Sequence, residues 1–557
     1  MAVETFDFII VGGGTAGCAL ASKLSKGLNK YQVLLLEAGG TNTDPEHQFY
    51  GERHLTLANA PGYNWGYKTV PQVQLNRKLD QSRGKGLGGS SAINFCVYTR
   101  GPKADYDDWA EQVGDDTWCW ENVQERFKAI ETFQMPPREL QPWVNPSSSA
   151  HGEHGAVHVG LADWAPDFGD FLDALYEVYP KNLDINSGDP LGISVGQVSA
   201  RNGRRVTASG AYLSDVPSNL TILTDVTAEK ILFDQDRAVG VKTTKGTHVR
   251  ANKEVILSAG ALDSPKLLLL SGIGPKAELS KLHIPLIKDL PGIGKNLCDR
   301  LFLSLVSIRK AGSHDRTHNM VSPEGMKAAR EEYLEHRSGP LADYYLSQMI
   351  SYFKSEKIVQ SEEFQALDGT LQKSLAADTK PHYEIVSFTA TPSVIIPEKY
   401  LGIATAFDGN YAAKGSVTLS SADPKDPPVI DPKFLAEPFD RRVAIEAVRE
   451  SLKLLDSPQL AKEQVRLAAG PENPSDEAIL DYVRKTAMSM WHCSGTVRMG
   501  KEDQPGTCVD SSFRVRGVDG LRVVDMSVAP FLISAHTQAA AYLIGETAAE
   551  KIVAEYK

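Results

Sequence analysis

Gly12, Gly14 and Gly17 stand at the spacing G-x-G-x-x-G. Each glycine has its own job in a turn that binds nucleotide phosphate. Gly12 permits the tight bend, Gly14 lets the backbone approach a pyrophosphate, and Gly17 allows close helix packing. A helix opening at Thr15 and Ala16 offers N–H donors and its positive dipole end to that anion. Glu37 follows 20 residues after Gly17. An acid at that spacing holds a ribose hydroxyl pair and repels a 2′-phosphate, which disfavours NADP. This motif alone leaves NAD and FAD both open.

Other reactive residue types read as bland. His151, His154 and His158 crowd one stretch, but Gly152 and Gly155 break any helix there. The pattern suits a turn before a strand better than a metal site. Cys493 neighbours His492 and reads as a small buried residue rather than a nucleophile. Tyr344, Tyr345, Tyr352 and Phe353 read as core.

The elements that position the glycine turn can be read around it. Residues 6–11 form a buried strand, a small-residue helix runs to about Lys26, and Val33–Leu36 is a second strand closed by Glu37. This β-turn-α-β unit opens a dinucleotide fold. Residues 41–80 lose periodicity, and residues 84–101 hold a second glycine-rich segment. Residues 135–160, with Pro136, Pro137, Pro142, Pro146 and three serines, read as a connection. Leu220–Val241 suggests a strand pair turning near Asp234–Asp236. Val255–Ala259 reads as a strand and Ser264 as the start of a helix. Tyr383–Ala390 and Ser416–Ser420 read as further strands. The chain closes in a helix expected to be amphipathic, with Ala541, Ile544, Ala548 and Ile552 on its apolar face.

Composition bounds the classes that remain. With 557 residues, the chain has room for three or four small domains or two large ones. At 42% apolar and 23% charged residues it has the balance of a globular enzyme rather than a disordered chain. A net charge of −11 disfavours nucleic acid and anionic membrane surfaces, both of which reward Lys and Arg. The six cysteines lie far apart and suggest no disulfide framework. No basic-then-apolar leader and no long apolar run is seen, so the expected location is cytoplasmic, without membrane association. Asn219-Leu220-Thr221 is a lone glycosylation sequon.

Further blocks carry a family resemblance. Gly84-Lys-Gly-Leu-Gly-Gly-Ser-Ser-Ala-Ile-Asn94, continuing to Tyr98, Gly101 and Asp107, resembles the first signature of the glucose–methanol–choline (GMC) oxidoreductases. Gly260-Ala-Leu-Asp-Ser-Pro-Lys-Leu-Leu268 with Ser271-Gly-Ile-Gly274 resembles the second. Pro291–Asp299 resembles the family's GxNLxD turn. Trp491–Thr496, Leu521–Asp525 and Ser534-Ala-His536 resemble its active-site region.

The resemblance implies an α/β chain, with a Rossmann-like FAD-binding domain interleaved with an α+β substrate-binding domain of antiparallel sheet covered by helices. It assigns 1–45, 80–110, 203–300 and 490–557 to FAD, 46–79 to a lid or excursion, and 111–202 and 301–489 to substrate. Gly88, Gly89, Ser91 and Asn94 would run along the flavin. Val226 would meet the adenine, Asp525 the ribityl chain, and His536 and Thr537 the ring.

Some residues depart from the family pattern. Ile93 stands where relatives with histidyl-linked flavin carry His, so non-covalent FAD is expected. Arg300 stands where many members have His, and Cys493 and Ala540 replace common prolines.

The implied reaction oxidises the CH–OH group of a small or medium alcohol. Hydride passes to flavin N5, and oxygen or another acceptor reoxidises the cofactor. Removal of the hydroxyl proton needs a base that titrates near neutrality, which suits imidazole. The resemblance points to His492 as that base, and to His536, 44 residues on, as its partner on the substrate oxygen. Ser534 or Thr537 is expected to cap the last helix, whose dipole would favour negative charge on the ring. A non-redox lyase or cyclase on the same fold, and a non-catalytic FAD-stabilised binding protein, stand as the alternatives.

Overall fold

The computed structural model describes residues 4–43, 62–161, 168–310, 323–339, 341–342, 346–388, 400–407 and 412–557. Strand β1, Glu4–Val11, ends in a run of four buried residues, as expected of a strand covered on both faces. Its glycine turn leads into helix α1, Thr15–Gly27, and then into β2, Val33–Leu36, also fully buried. Strands β3 (Leu220–Leu223), β4 (Ala228–Asp234), β5 (Arg237–Thr243) and β6 (His248–Leu257) follow much later in the chain, and β7 (Leu521–Val523) later still. They assemble in the order β4-β5-β6-β1-β2-β3, with β7 on β6. Pairs β6-β1, β1-β2, β2-β3 and β6-β7 are parallel, whereas β4-β5-β6 is an antiparallel meander. The expected strand pair at 220–241 is thus three strands, because Leu220–Leu223 leaves the hairpin to extend the parallel sheet.

Helix α2, Gly260–Leu270, follows β6 and starts four residues before Ser264. Helix α3, Thr537–Tyr556, ends the chain. It is buried almost all round from Gln538 to Ala549, not only along one stripe. It lies so close to α1 that a Cβ on Gly545 would come within 2.5 Å of the Ala16 carbonyl oxygen. Glu546, outside the apolar face expected for this helix, accepts from Tyr212 Oη at 2.9 Å and pairs with Lys23 at 3.0 Å.

A second sheet is antiparallel throughout. Its order is Gln464–Ala469, Leu301–Arg309, Tyr400–Phe407, Tyr383–Phe388, Leu346–Phe353 and Gly192–Val195, with Met488–Ser489 also on Leu301–Arg309. Helix Pro438–Leu455 packs its apolar face against this sheet. Both sheets draw on separated stretches of chain. Each fully buried Leu, Ile or Phe of these cores contributes about 1.5–3 kcal/mol.

Other expectations resolve locally. Tyr352 and Phe353 are core residues, while Tyr344 and Tyr345 fall outside the described residues. The 135–160 stretch is tied in rather than loose. Its Val157–Leu161 strand pairs with Glu131–Phe133 and Gln197–Val198. His151 is buried against Glu131 at 2.7 Å and Asp184 at 3.2 Å. His158 meets Arg201. Asn219 of the sequon is buried, its Nδ2 donating to the carbonyls of Ser25, Leu28 and Tyr31. No helix among the described residues is long and apolar enough to cross a membrane.

Candidate active site

The carboxyl ends of the central parallel strands, the start of α2, the start of α3 and one face of the antiparallel sheet share a cleft of about 1440 Å³. Gly12, Gly14, Thr15, Ala16, Glu37, Gly89, Ser91, Asn94, Val226, Asp525, His492, His536 and Thr537 all line it. Gly17 and Gly88 do not. Gly17 serves packing, since a Cβ there would meet the Gly12 carbonyl oxygen at 2.0 Å. Gly88 supports the turn beside it, donating its N–H to the Gly13 carbonyl at 2.8 Å.

The glycine end of the cleft has the donor set of a dinucleotide site. A Cβ on Gly14 would meet only the Ser258 carbonyl oxygen, at 4.0 Å, and one on Gly260 would meet nothing within 4 Å. Side chains at either position would therefore grow into the cleft that a cofactor backbone needs. Helix α1 has no side-chain bond from its N-cap residue, and Gly14, Thr15 and Ala16 at its start line the cleft, where an anion would meet its positive dipole end. Glu37 already accepts from Gly13 N at 2.8 Å, Gly39 N at 2.8 Å and Gly86 N at 3.0 Å. A carboxylate has about four lone-pair directions, so one is left for a ribose hydroxyl. Asp525 accepts from Gly260 N and Ser264 Oγ on one oxygen and from Ser527 N on the other. Burial nonetheless holds its carboxyl above the ordinary range. These residues fit FAD.

A ribbon of residues 62–84 crosses the cleft, closed by bridges Asn64–Gly84, Lys68–Asp80 and Gln72–Arg77. Trp65 and Tyr67 stack at 5.8 Å. Tyr67 Oη donates to Asp263 Oδ1 at 2.8 Å, and Val70 N to the Ile430 carbonyl at 2.9 Å. Residues 46–61 of the expected lid lie outside the described residues.

His492 and His536 meet at the other functional end, their ring centroids 5.0 Å apart and their planes at 73°. Asp299 fixes the first. Its Oδ1 accepts from His492 N at 2.7 Å and Arg300 N at 2.8 Å, and its Oδ2 from Ser489 Oγ at 2.6 Å and Gln81 Nε2 at 2.9 Å. Arg300, fully buried, fixes the second by donating to the carbonyls of Ala535, at 2.9 Å, and Ile533. His536 N donates to Thr99 Oγ1 at 2.8 Å, and Ser534 N to Asp105 Oδ2 at 2.6 Å. Neither Ser534 nor Thr537 caps α3. His536 is its N-cap residue, and its side chain makes no capping hydrogen bond there.

Sequence reasoning missed Glu384. It sits on the Tyr383–Phe388 strand, is fully buried, and its Oε1 lies 2.8 Å from His536 Nε2. Its Oε2 has no partner among the described residues. No motif marks it. The only signal was an acid in a mostly apolar strand. Asp299 lay within the quoted GxNLxD turn, but its four-donor role was invisible there. Cys493 is buried, donates to Gln81 Oε1 at 3.2 Å, and is pushed well above its ordinary value by burial and then by Asp299, so it stays a thiol.

Models of the N- and C-terminal parts of GMC oxidoreductases match residues 6–302 and 412–545. Versicolorin B synthase of Aspergillus parasiticus is 35% identical over 587 aligned residues, covering 99% of this chain and 88% of the relative. Alcohol dehydrogenase (acceptor) of Pseudomonas putida is 35% identical over 569, covering 98% and 96%. A solved structure of an Aspergillus oryzae formate oxidase variant, concerned with FAD modification, superimposes with a TM-score of 0.89 at 28% identity, covering 99% of both chains.

Proposed function

We propose, because this chain belongs to the GMC oxidoreductases and is therefore an FAD-dependent enzyme, that it oxidises the CH–OH group of a small or medium alcohol with His492 as general base. The observation that carries this reading is the facing imidazole pair on a cleft that also holds the glycine-rich turn.

When bound, FAD supplies the hydride acceptor. The chain manages the proton. His492, held through its backbone by Asp299, takes the hydroxyl proton. His536 binds the same oxygen, and negative charge grows there as the proton leaves. The Glu384 carboxylate behind Nε2 orients the ring and stabilises positive charge on it, as a buried carboxylate does for a catalytic imidazole. Gly14, Gly89, Ser91, Asn94, Val226 and Asp525 hold FAD without a covalent bond, Ile93 offering no nucleophile. The 62–84 ribbon retains the cofactor. Oxygen or another acceptor closes the cycle.

The test is anaerobic mixing of the purified flavoprotein with a panel of alcohols. Bleaching of the flavin supports oxidation, and peroxide formed on admitting oxygen identifies an oxidase. A second reading, cyclisation or lysis without net redox change, is favoured by the relative named as a synthase. Product formed with a flavin that never bleaches would establish it.

A further inference from the structure

We infer that the substrate end of the cleft is a slot for uncharged alcohols carrying an aromatic ring, with Trp491 as the residue that sets this preference. The inference rests on the alcohol-oxidation reading and narrows its substrate. Trp491 directly precedes His492, so a ring packed on it is carried to the base. Phe95 and Phe302 flank it, with centroids at 6.3 Å and 5.8 Å and planes tilted by 41° and 55°. All three rings line the cleft and are only half-buried. Ile93, Val97, Val386, Met488 and Met490 line the cleft as well, with Asn94 and Ser304 as polar groups among them. Such a wall rewards planar apolar cover and polarizable contact, and it gives a polyol little to bond.

Trp491 is built to stay put. Its φ is +59°, a left-handed conformation that a bulky residue adopts only when its surroundings impose it. Its Nε1 donates to Asp80 Oδ2 at 2.9 Å, its N–H to Ser489 Oγ at 2.9 Å, and its carbonyl accepts from Arg83 Nη2 at 2.6 Å.

Three rings beside a carboxylate could also cage a quaternary ammonium. Charge argues against that occupant. Asp80 Oδ2 is already engaged by Trp491 and by Ser82 N and Oγ. The ribbon that carries Asp80 also brings Lys68, Lys78 and Arg83 to the cleft. Glu384 does not line the cleft, and its Oε1 faces His536.

The test compares benzyl alcohol, cyclohexylmethanol, choline and glucose by kcat/KM, and titrates benzamide against cyclohexanecarboxamide by calorimetry. Benzyl alcohol should exceed cyclohexylmethanol by about tenfold and choline and glucose by about 100-fold, the scale of pocket discrimination. Trp491→Ala should cut the benzyl-to-cyclohexyl ratio about tenfold, mainly through KM, and Trp491→Phe should restore most of it. Bound FAD per chain reports that each variant is folded. A preference for choline or glucose, or a ratio unmoved in folded Trp491→Ala, overturns the inference. If no alcohol bleaches the flavin, the oxidation reading fails on its own. The amide titration then decides: tighter benzamide upholds the slot, and equal binding overturns it.

Discussion

Changing Glu384 to Gln keeps the side chain's shape and removes its charge. An ionised carboxylate only accepts, so it accepts from the proton on His536 Nε2, and in the proposed mechanism the positively charged ring donates from Nδ1–H to the substrate oxygen. A charge-assisted hydrogen bond is worth about 1.5–3 kcal/mol and a neutral one about 0.5–1.5. If the bond to Glu384 strengthens as charge grows on the alcohol oxygen, the loss is about 1–2 kcal/mol in the transition state. That is about 5- to 30-fold in the rate of flavin reduction. Stability should not follow activity. Glu384 Oε2 is buried with no partner among the described residues, a costly place for charge. Glu384→Gln should therefore melt no lower than the parent. Anaerobic stopped-flow reduction and a thermal melt on the same sample check both halves. A rate within twofold of the parent, or a rate loss matched by a lower melting temperature, would refute a role through His536.

Three further changes probe the rest of the site. His492→Ala should keep its FAD and lose about 100- to 10,000-fold in reduction rate, read from the flavin spectrum under anaerobic turnover. Gly14→Val should fold yet emerge without flavin, since its side chain grows into the cleft; bound FAD per chain measures this. Burial pushes Asp263 up from 3.8 to about 6, with Tyr67 donating to it. A folded-state value above the unfolded one adds stability below the unfolded value, and that stability is lost as pH rises through about 6. Asp263→Asn should therefore flatten the change in melting temperature of the cofactor-free protein between about pH 4 and 6. A variant that keeps the parent's slope would assign it to another group.

The sequence made the glycine turn legible because Gly12, Gly14 and Gly17 answer to steric demands that no other residue meets. Glu37 was legible by spacing, but its three backbone N–H partners were not, since beside neighbouring Gly39 they include Gly13 and Gly86, 24 and 49 residues away. The parallel strands showed as apolar runs. Helix α3 misled, because Glu546 and Thr547 break the apolar pattern yet are buried. Periodicity cannot distinguish a polar residue facing water from one facing a buried tyrosine. Glu384 was hidden for a related reason: its partner is 152 residues away, and only the packing of the antiparallel sheet beside the start of α3 brings the two together.

Asp299 and Arg300 are neighbours in sequence, and each holds one histidine segment, the first by its carboxylate and the second by its guanidinium. The gap between the two imidazoles is therefore gauged by a single dipeptide where the chain enters the Leu301–Arg309 strand. Thr99 and Glu384 add a second hold on His536 alone. On the alcohol-oxidation reading, redesign of the ring-lined wall that spares that dipeptide would reshape the alcohol's berth and leave the spacing of the two imidazoles in place. A new substrate can be sought by repainting the wall around a fixed gauge.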